Sequence, residues 1–347
     1  MKMDLFDLTK KLCCTAGPSG FEKPVMETVR EYLTPFADEI STDSMGNLMA
    51  VKRCGRRGAR LVMLTAHMDE IGLIVTGAEE GFLRFEELGG VDKRVLGARE
   101  VLVLGPQTLF GVIDTVPPHL QAGNDSDTTP DTDKLYIDVG LTQDEALKAA
   151  PAGTPAVFAG TCEELGNGYV CGKALDDRSS VAIVLTAFEI LSAHTLNVDV
   201  CCLISTQEEV GNRGAAVGAW SMRPDTALAV DVTFAKTPDA REVLCDIGKG
   251  AAVGIGPNMN RAVTEELFRI AKEKQIPCQP EVTPGGNSGT DAYAIQISRG
   301  GVATALISLP IKYMHTPIEV AMLDDMMAVQ RLLVEYVLQA GEAENNA

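Results

Sequence analysis

Apolar runs alternate with polar stretches along the chain, and four of the runs are long enough for buried strands. They cover residues 61–66, 198–204, 226–230 and 302–307. Uninterrupted runs of Val, Leu, Ile and Ala are typical of a parallel sheet that is covered on both faces. Helical spacing occurs between and after them, at residues 177–192, 264–274 and 323–338. The pattern predicts an α/β fold, with a mixed, largely parallel sheet flanked by helices.

The pattern changes between residues 71 and 161. Short β-rich pieces recur there, punctuated by Gly and Pro, and helical spacing is confined to residues 145–150. This spacing predicts a small β-barrel inserted into the α/β domain. The main domain would then comprise residues 1–70 and 162–347, with residues 71–161 as the insert. A polar loop is expected within the insert at residues 123–130.

A helix start is predicted before the first strand. Ser19 and Glu22 have the Ser-x-x-Glu spacing of a capping box, and Val25 and Val29 follow on one helical face. Further along the chain, the glycine-rich segment 285–289 predicts a turn before a helix that begins near Thr290.

Each of the four apolar runs is followed closely by side chains that can bind a divalent metal. In chain order these are His67, the pair Glu208-Glu209, Asp231 and His315. Ligands of open α/β sheets gather at the carboxyl ends of the strands. We therefore expect these side chains to form one site, although they are far apart in sequence.

Three further acids lie close to this set: Asp69 after His67, and the pair Asp176-Asp177 before a predicted helix. Imidazole and carboxylate donors without thiolate suit zinc, cobalt or manganese. Their number suits two metals ~3.5–4 Å apart that share a carboxylate. Singly, each has a plainer explanation, namely a hydrogen-bonded core histidine, a solvated loop or a helix cap. Their coincidence favours a metal site, whereas His119 and His194 lack this context and are predicted to be structural.

Composition narrows the possible partners and location. The net charge of −18 argues against nucleic acid or an anionic membrane as a partner, because both select basic surfaces. Aromatic residues make up only 5% of the chain, which argues against a polysaccharide-binding cleft, because such a cleft needs a platform of stacked aromatic rings. The nine cysteines include no Cys-x-x-Cys spacing, and no apolar stretch approaches the ~18 residues of a membrane span. Together with the acidic start of the chain, this predicts a cytoplasmic protein with reduced thiols.

Several segments resemble the signature sequences of one family. They are TAHMDEIG at 65–72, GKALDDR at 172–178, EEVGNRGA at 208–215, GTDA at 289–292 and YMHTPIE at 313–319. In this order they resemble the glutamyl-aminopeptidase, or tetrahedral (TET) aminopeptidase, family of binuclear metallopeptidases. The likeness extends into the insert, at residues 89–96 and 117–120. It implies a zinc-peptidase-like fold with a dimerisation domain at residues 71–161.

The resemblance implies a role for each site residue. His67 and Asp231 would hold one metal and Glu209 and His315 the other, with Asp176 bridging the two. Glu208 would be the general base toward a water activated by both metals, and Asp69 would orient His67. The bond Asp176–Asp177 would be cis. Two divalent ions are implied per subunit, zinc first, with cobalt or manganese as alternatives.

The expected activity is removal of the N-terminal residue of peptides by a homo-oligomer, built from dimers and possibly a tetrahedral dodecamer. An N-acyl amino-acid or peptide deacylase could use the same site, and a glycosidase acting through Glu208 is the alternative from another class. One departure from the family pattern is Lys312, where an arginine is expected, and it bears on the contacts around His315.

Overall fold

The computed structural model describes residues 4–115, 129, 131–238, 245–283 and 288–341. In this part of the chain the strands form an eight-stranded sheet, a closed six-stranded barrel and a three-stranded sheet. The α-helices of the same residues are α1 (Leu5–Cys13), α2 (Lys23–Leu33), α3 (Gln143–Ala149), α4 (Leu175–Ser192), α5 (Arg213–Met222), α6 (Arg261–Glu273), α7 (Asp291–Gln296) and α8 (Leu323–Gln339). None of these helices is long and apolar enough to cross a membrane.

The eight-stranded sheet has the four strands predicted from the apolar runs side by side at its centre. In spatial order it comprises β1 (Glu39–Thr42), β2 (Leu48–Lys52), β12 (Asp199–Ser205), β3 (Leu61–His67), β13 (Thr226–Phe234), β16 (Ala303–Ile311), β14 (Ala251–Ile255) and β15 (Cys278–Val282). The pairs β1–β2, β2–β12 and β16–β14 are antiparallel, and the other four of the seven neighbouring pairs are parallel. The predicted mixed, largely parallel sheet is confirmed.

Helices cover both faces of this sheet, which explains why its central strands are apolar throughout. The larger core lies between the sheet and α1, α2, α4, α6 and α8. A smaller core packs α5 and α7 against the other face. In α4, 15 of the 18 residues are buried, so this helix has no polar face and lies inside the domain. Its first turn therefore approaches the strand ends from within the protein.

The barrel predicted as an insert is present. Its strands, in order around the barrel, are β4 (Gly72–Glu79), β5 (Phe82–Leu88), β8 (Ile137–Asp138), β7 (Thr108–Ile113), β6 (Glu100–Leu104) and β9 (Pro155–Phe158). Alternate apolar side chains of these strands fill a core of their own. The short helix expected near residue 145 is α3, which begins with a capping box between Thr142 and Glu145. His119, the segment 117–120 and the expected polar loop, apart from Thr129, lie outside the described residues.

The three-stranded sheet comprises β10 (Cys162–Glu164), β11 (Tyr169–Gly172) and β17 (Glu319–Met322). Its register places Glu319 opposite Gly172. Gly172 comes four residues before Asp176 in the chain. This pairing brings the segment that follows β16 against the start of α4.

The predicted capping box at the start of α2 is wrong. Glu22 is the residue before the helix, but no side chain caps it. Instead the Ser19 hydroxyl donates to Asp69 at 2.6 Å, and the Glu22 carboxylate accepts the N–H groups of Gly20 and Gln207 at 2.7 and 3.1 Å. The Ser19 partner and one of the two Glu22 partners are far away in sequence, and the fold brings them within hydrogen-bond distance.

Candidate metal centre

One cavity of about 480 Å³ lies at the carboxyl ends of the central strands. The site residues predicted from the sequence line this cavity or, for Asp69, lie beneath it. They are His67 at the end of β3, Asp69 just after it, Asp176 at the start of α4, Glu208 and Glu209 after β12, Asp231 in β13, and His315 after β16. The parallel register brings these ends together, with Ser205 opposite His67.

Asp176 lies between the two imidazoles. Its Oδ1 is 3.2 Å from His67 Nε2, and its Oδ2 is 3.3 Å from His315 Nε2. The peptide bond Asp176–Asp177 is cis, as the resemblance implied. Because each oxygen of one carboxylate faces a different imidazole, the arrangement can accommodate two ions with Asp176 between them.

Further carboxylates flank each imidazole. His67 Nε2 is 3.9 Å from Asp231 Oδ1 and also 3.9 Å from Glu208 Oε2. His315 Nε2 is 3.4 Å from Glu209 Oε2. Each side of the cluster thus combines one imidazole with at least one carboxylate besides Asp176.

Asp177 is a neighbour of the site that sequence reasoning did not assign. Its Oδ2 accepts the backbone N–H of His67 at 3.2 Å, and Oδ1 has no hydrogen-bond partner among the described residues. Ligand atoms of His67, Asp177 and Asp231 all lie within 4.8 Å of one another, as do those of His67, Asp176 and Glu209. The pair Asp176-Asp177 therefore contributes two carboxylates to the cluster.

Asp69 holds the base of the site together. Its two oxygens accept the N–H groups of Glu208 and Glu209 at 3.0 and 3.1 Å, and the Ser19 hydroxyl at 2.6 Å. Its Oδ1 also faces His67 Nδ1 at 3.4 Å, although the alignment falls short of a hydrogen bond. Asp69 thus positions the turn that carries both glutamates as well as facing the histidine.

Glu319 was missed as a site residue, although it ends the segment 313–319 quoted above. Its Oε2 accepts the N–H of Asp176 and its Oε1 the N–H of His315, both at 2.9 Å. The side chain is 1% exposed. One carboxylate therefore ties together the backbones of two candidate ligands that are 139 residues apart. No local spacing rule relates these positions.

The barrel contributes to the site through Gly90. His315 Nδ1 donates to the Gly90 carbonyl oxygen at 2.8 Å, which directs Nε2 toward the carboxylates. A Cβ atom at position 90 would lie only 2.7 Å from His315 Nδ1. A residue with a side chain at this position would displace the imidazole, so the close approach requires glycine.

The carboxylates at the site have unusual proton affinities. Burial raises the pKa of Glu208 to about 8 and the pKa values of Glu209 and Asp231 well above their ordinary range. Burial opposes protonation of His315, but its hydrogen bond to Asp176 and the charge of Glu209 outweigh it and raise its pKa to about 10. Hydrogen bonds from the two imidazoles outweigh burial at Asp176 and lower its pKa, so this carboxylate stays ionised between two protonated histidines while the acids around it hold protons.

This chemistry fits divalent metal ions. The cavity is lined by imidazoles and carboxylates, and no cysteine is among its described lining residues. Buried Glu209 Oε1 finds no hydrogen-bond partner in the described part of the chain, so a lone pair is free to bind a cation. Positive ions would offset the repulsion among these acids, as metal binding to deprotonated ligands generally does.

Two residues near Glu208, Asn212 and Asp291, were not predicted as site residues. Asn212 Nδ2 donates to Glu208 Oε1, which leaves Oε2 facing the His67 side of the cavity. Asp291 lies nearby, accepts the Ser205 hydroxyl, and has its pKa raised to about 6 by burial. The only sequence signals were the quoted segments 208–215 and 289–292.

Three remaining expectations concern Lys312, His194 and the glycine-rich turn. Lys312 does not line it: its ammonium lies 5.1 Å from the centre of the Tyr169 ring, and its backbone pairs with Val320. His194 is exposed after α4, away from the cavity. The glycine-rich turn lies outside the described residues, apart from Ser288 and Gly289, which line the cavity.

Comparison with known proteins gives consistent results. Residues 46–332 match the family described as M42 glutamyl aminopeptidase. The lysyl aminopeptidase of Pyrococcus furiosus is 35% identical over 91% of this chain and 92% of its own length. A TET aminopeptidase from a marine sediment archaeon of the Thaumarchaeota superposes with a TM-score of 0.92 at 30% identity, covering 98% of this chain and 97% of that one. The TET1 peptidase of Pyrococcus horikoshii, which can assemble into a tetrahedron or a large octahedral shell, gives 0.86 at 33% identity, covering 97% and 100%.

Proposed function

The chain belongs to the M42 glutamyl aminopeptidase family and is a metal-dependent aminopeptidase, and from that premise we propose how its residues divide the reaction. In this proposal His67 and Asp231 would hold one divalent ion, Glu209 and His315 would hold the other, and Asp176 would offer one oxygen to each. The observation that carries this assignment is the position of Asp176, with one oxygen 3.2 Å from His67 and the other 3.3 Å from His315.

When bound, two divalent ions supply an activated water and polarise the scissile carbonyl. Glu208 is the general base in our proposal. Its Oε2 faces the cavity and its Oε1 accepts a hydrogen bond from Asn212. Burial raises its pKa to about 8 in the metal-free protein, and nearby cations would favour the ionised form that accepts a proton. It takes a proton from the attacking water and returns it to the leaving amine. Asp69 is a positioning residue, because it holds the backbone of Glu208 and faces His67 Nδ1.

Zinc is the proposed metal, with cobalt and manganese as alternatives, since imidazole and carboxylate donors suit all three.

The proposed location is the cytoplasm, because all nine cysteines are free thiols, five of them buried in the fold, and thiols stay reduced in that compartment.

We propose that the protein works as a homo-oligomer, with the barrel region, residues 71–161, as its dimerisation domain and a tetrahedral dodecamer as the full assembly. The Pyrococcus horikoshii relative supports this, because it can assemble into a tetrahedron or a large octahedral shell and is 33% identical over nearly the whole chain. Large apolar side chains on the barrel surface support it as well: Phe110 is 57% exposed, and Phe82 and Val112 are each 40% exposed. Light scattering of the wild-type protein against a Phe110→Ser variant tests the dimer contact, which should weaken in the variant.

The activity is tested with a panel of aminoacyl fluorogenic substrates and an N-acylated control, before and after chelation and with zinc, cobalt or manganese restored. We expect cleavage of unblocked substrates only, lost on chelation and recovered with metal. Cleavage of the acylated substrate alone would favour the deacylase alternative. Activity that survives chelation would contradict the two-metal mechanism. The glycosidase alternative is the one that predicts activity without metal.

The role of Glu208 is tested with Glu208→Gln, which removes the proton acceptor and keeps the shape of the side chain. We expect normal metal content and a loss of kcat of about 10² or more. A matched control is Glu27→Gln, at an exposed position on α2. A Glu208→Gln enzyme that is fully active would show that another group accepts the proton.

A further inference from the structure

Part of the cavity wall has no role in the proposed metal binding. It consists of Thr233, Phe234, Glu281, Val282 and Thr283, at the ends of β13 and β15. Phe234 and Val282 are 60% and 61% exposed although both are large and apolar. Glu281, which lines the same wall, is only 6% exposed. Exposed apolar side chains beside a buried carboxylate are typical of a pocket for a ligand that has both kinds of surface.

Glu281 lies on the same sheet edge as the metal ligands. Its Oε2 accepts the hydroxyl of Ser308 at 2.5 Å, and Ser308 is the register partner of Asp231 on the neighbouring strand. Neighbouring strands are ~4.8 Å apart, so the Glu281 carboxylate lies about 7 Å from Asp231. The strand β14 separates β15 from β16, but its residue opposite Glu281 is Gly254, which has no side chain to block the approach.

The described part of this wall gives Glu281 no counterion. The hydrogen-bond partners of its carboxylate are the hydroxyls of Ser308 and Thr233, and no Lys or Arg is among the described residues that line the cavity. Burial raises the pKa of Glu281, while the two hydroxyl donors favour its ionised form. A buried carboxylate with neutral partners is completed best by a cation from the ligand.

We propose that Glu281 is a specificity residue that selects peptides with lysine or arginine at the N-terminus, an inference that rests on the proposed aminopeptidase function. The side chain of the N-terminal residue leaves the chain next to the scissile carbonyl, so it must enter a pocket that borders the metal ligands. Its alkyl stem packs against Phe234 and Val282, and its cationic end reaches Glu281. The span of about 7 Å from Asp231 is of the order of an extended lysine side chain. An N-terminal glutamate would meet like charge in the same pocket.

The test compares kcat/KM of the metal-loaded enzyme on coumarin amides of lysine, norleucine and glutamate. Norleucine matches the stem of lysine without its charge, so the lysine-to-norleucine ratio isolates the contribution of the cation. We expect a ratio of at least about tenfold and almost no activity on glutamate. In Glu281→Gln the ratio should fall by roughly 10- to 100-fold, because the amide keeps the shape and loses the charge. Glu27→Gln, an exposed substitution with the same change in charge, should keep the wild-type ratio.

The outcomes separate the two proposals. Preference for norleucine or glutamate in the wild-type enzyme, or an unchanged ratio in Glu281→Gln, would overturn the role of Glu281 while the aminopeptidase function stands. No cleavage of any unblocked substrate would refute the proposed function, and the specificity with it. If Glu281→Gln fails to fold, the wild-type lysine-to-norleucine ratio decides the question, because a ratio near one would show that the pocket does not recognise the cation and would overturn the role of Glu281.

Discussion

Replacing Glu319 by Gln should weaken metal binding without touching a proposed ligand. The Glu319 carboxylate accepts the N–H groups of Asp176 and His315, each at 2.9 Å. A glutamine has one carbonyl oxygen, so it can accept only one of these N–H groups. Its NH2 group would face the other N–H, and two donors repel each other.

The magnitude follows from these two contacts. Burial raises the pKa of Glu319, whereas the two N–H donors, one to each oxygen, favour its ionised form. A hydrogen bond contributes about 1 kcal/mol to a neutral acceptor and about 1.5–3 kcal/mol to a charged one, and one such bond is lost outright. Groups that orient metal ligands typically change metal affinity by about 10- to 100-fold. We therefore expect a loss of that size, largest for the ion held by Glu209 and His315, because Glu319 holds the backbone of His315 directly.

The assay is competition for zinc between the metal-free protein and a chelator of known affinity, followed by kcat/KM at saturating and at limiting zinc. Activity should recover largely at saturating zinc, since Glu208 is unchanged. Glu164→Gln is the matched control, as an exposed glutamate of the same three-stranded sheet. Wild-type affinity for both ions in Glu319→Gln would refute the reasoning that this carboxylate positions the ligands.

Three further predictions concern the same site. Gly90→Ala places a Cβ atom 2.7 Å from His315 Nδ1, so zinc content measured by atomic emission should fall, and full occupancy would contradict the close-approach argument. Asn212→Asp replaces the donor to Glu208 by a negative charge, so the acid limb of the pH profile of kcat/KM should move up by about one pH unit, and an unshifted limb would exclude Asn212 as its cause. Loading the metal-free protein with zinc at pH 7 should release protons, because the pKa values of Glu208 and His315 are raised to about 8 and about 10 and both groups hold protons there. Metal affinity should therefore rise with pH, and calorimetric heats that do not depend on the buffer's ionisation enthalpy would contradict this.

Much of the main domain was accessible from local pattern. The strands β3, β12, β13 and β16 are buried on both faces, and a strand of that kind must be apolar at nearly every position, so its run stands out in the sequence. The polar residues that follow such runs, His67 among them, then mark the sheet edge where ligands bind. The proposed bridging role of Asp176 came from family resemblance, because its own sequence context equally suits a helix cap.

Local pattern failed where a side chain has a distant partner. Ser19 and Glu22 have the spacing of a capping box, but Ser19 bonds Asp69 and Glu22 bonds the N–H of Gln207, 185 residues away. The capping rule considers only bonds that the chain can make within one turn. Glu22 keeps one short-range bond, to the N–H of Gly20, but the reciprocal bonds of a capping box are not made once the fold brings Asp69 and Gln207 close.

The fold class, the strands of the central sheet and the types of donor atom at their ends follow from the residue pattern alone. Which atoms face one another follows from the packing of the folded chain: Glu319 ties Asp176 to His315, Gly90 approaches the His315 ring, and Glu281 reaches Ser308 across β14. The periodicity of apolar residues indicates which face of a strand or helix is buried, and this pattern can be recognised within a short stretch of sequence. A hydrogen bond or an ion pair depends on a separation of about 3 Å in space, which no spacing along the chain specifies.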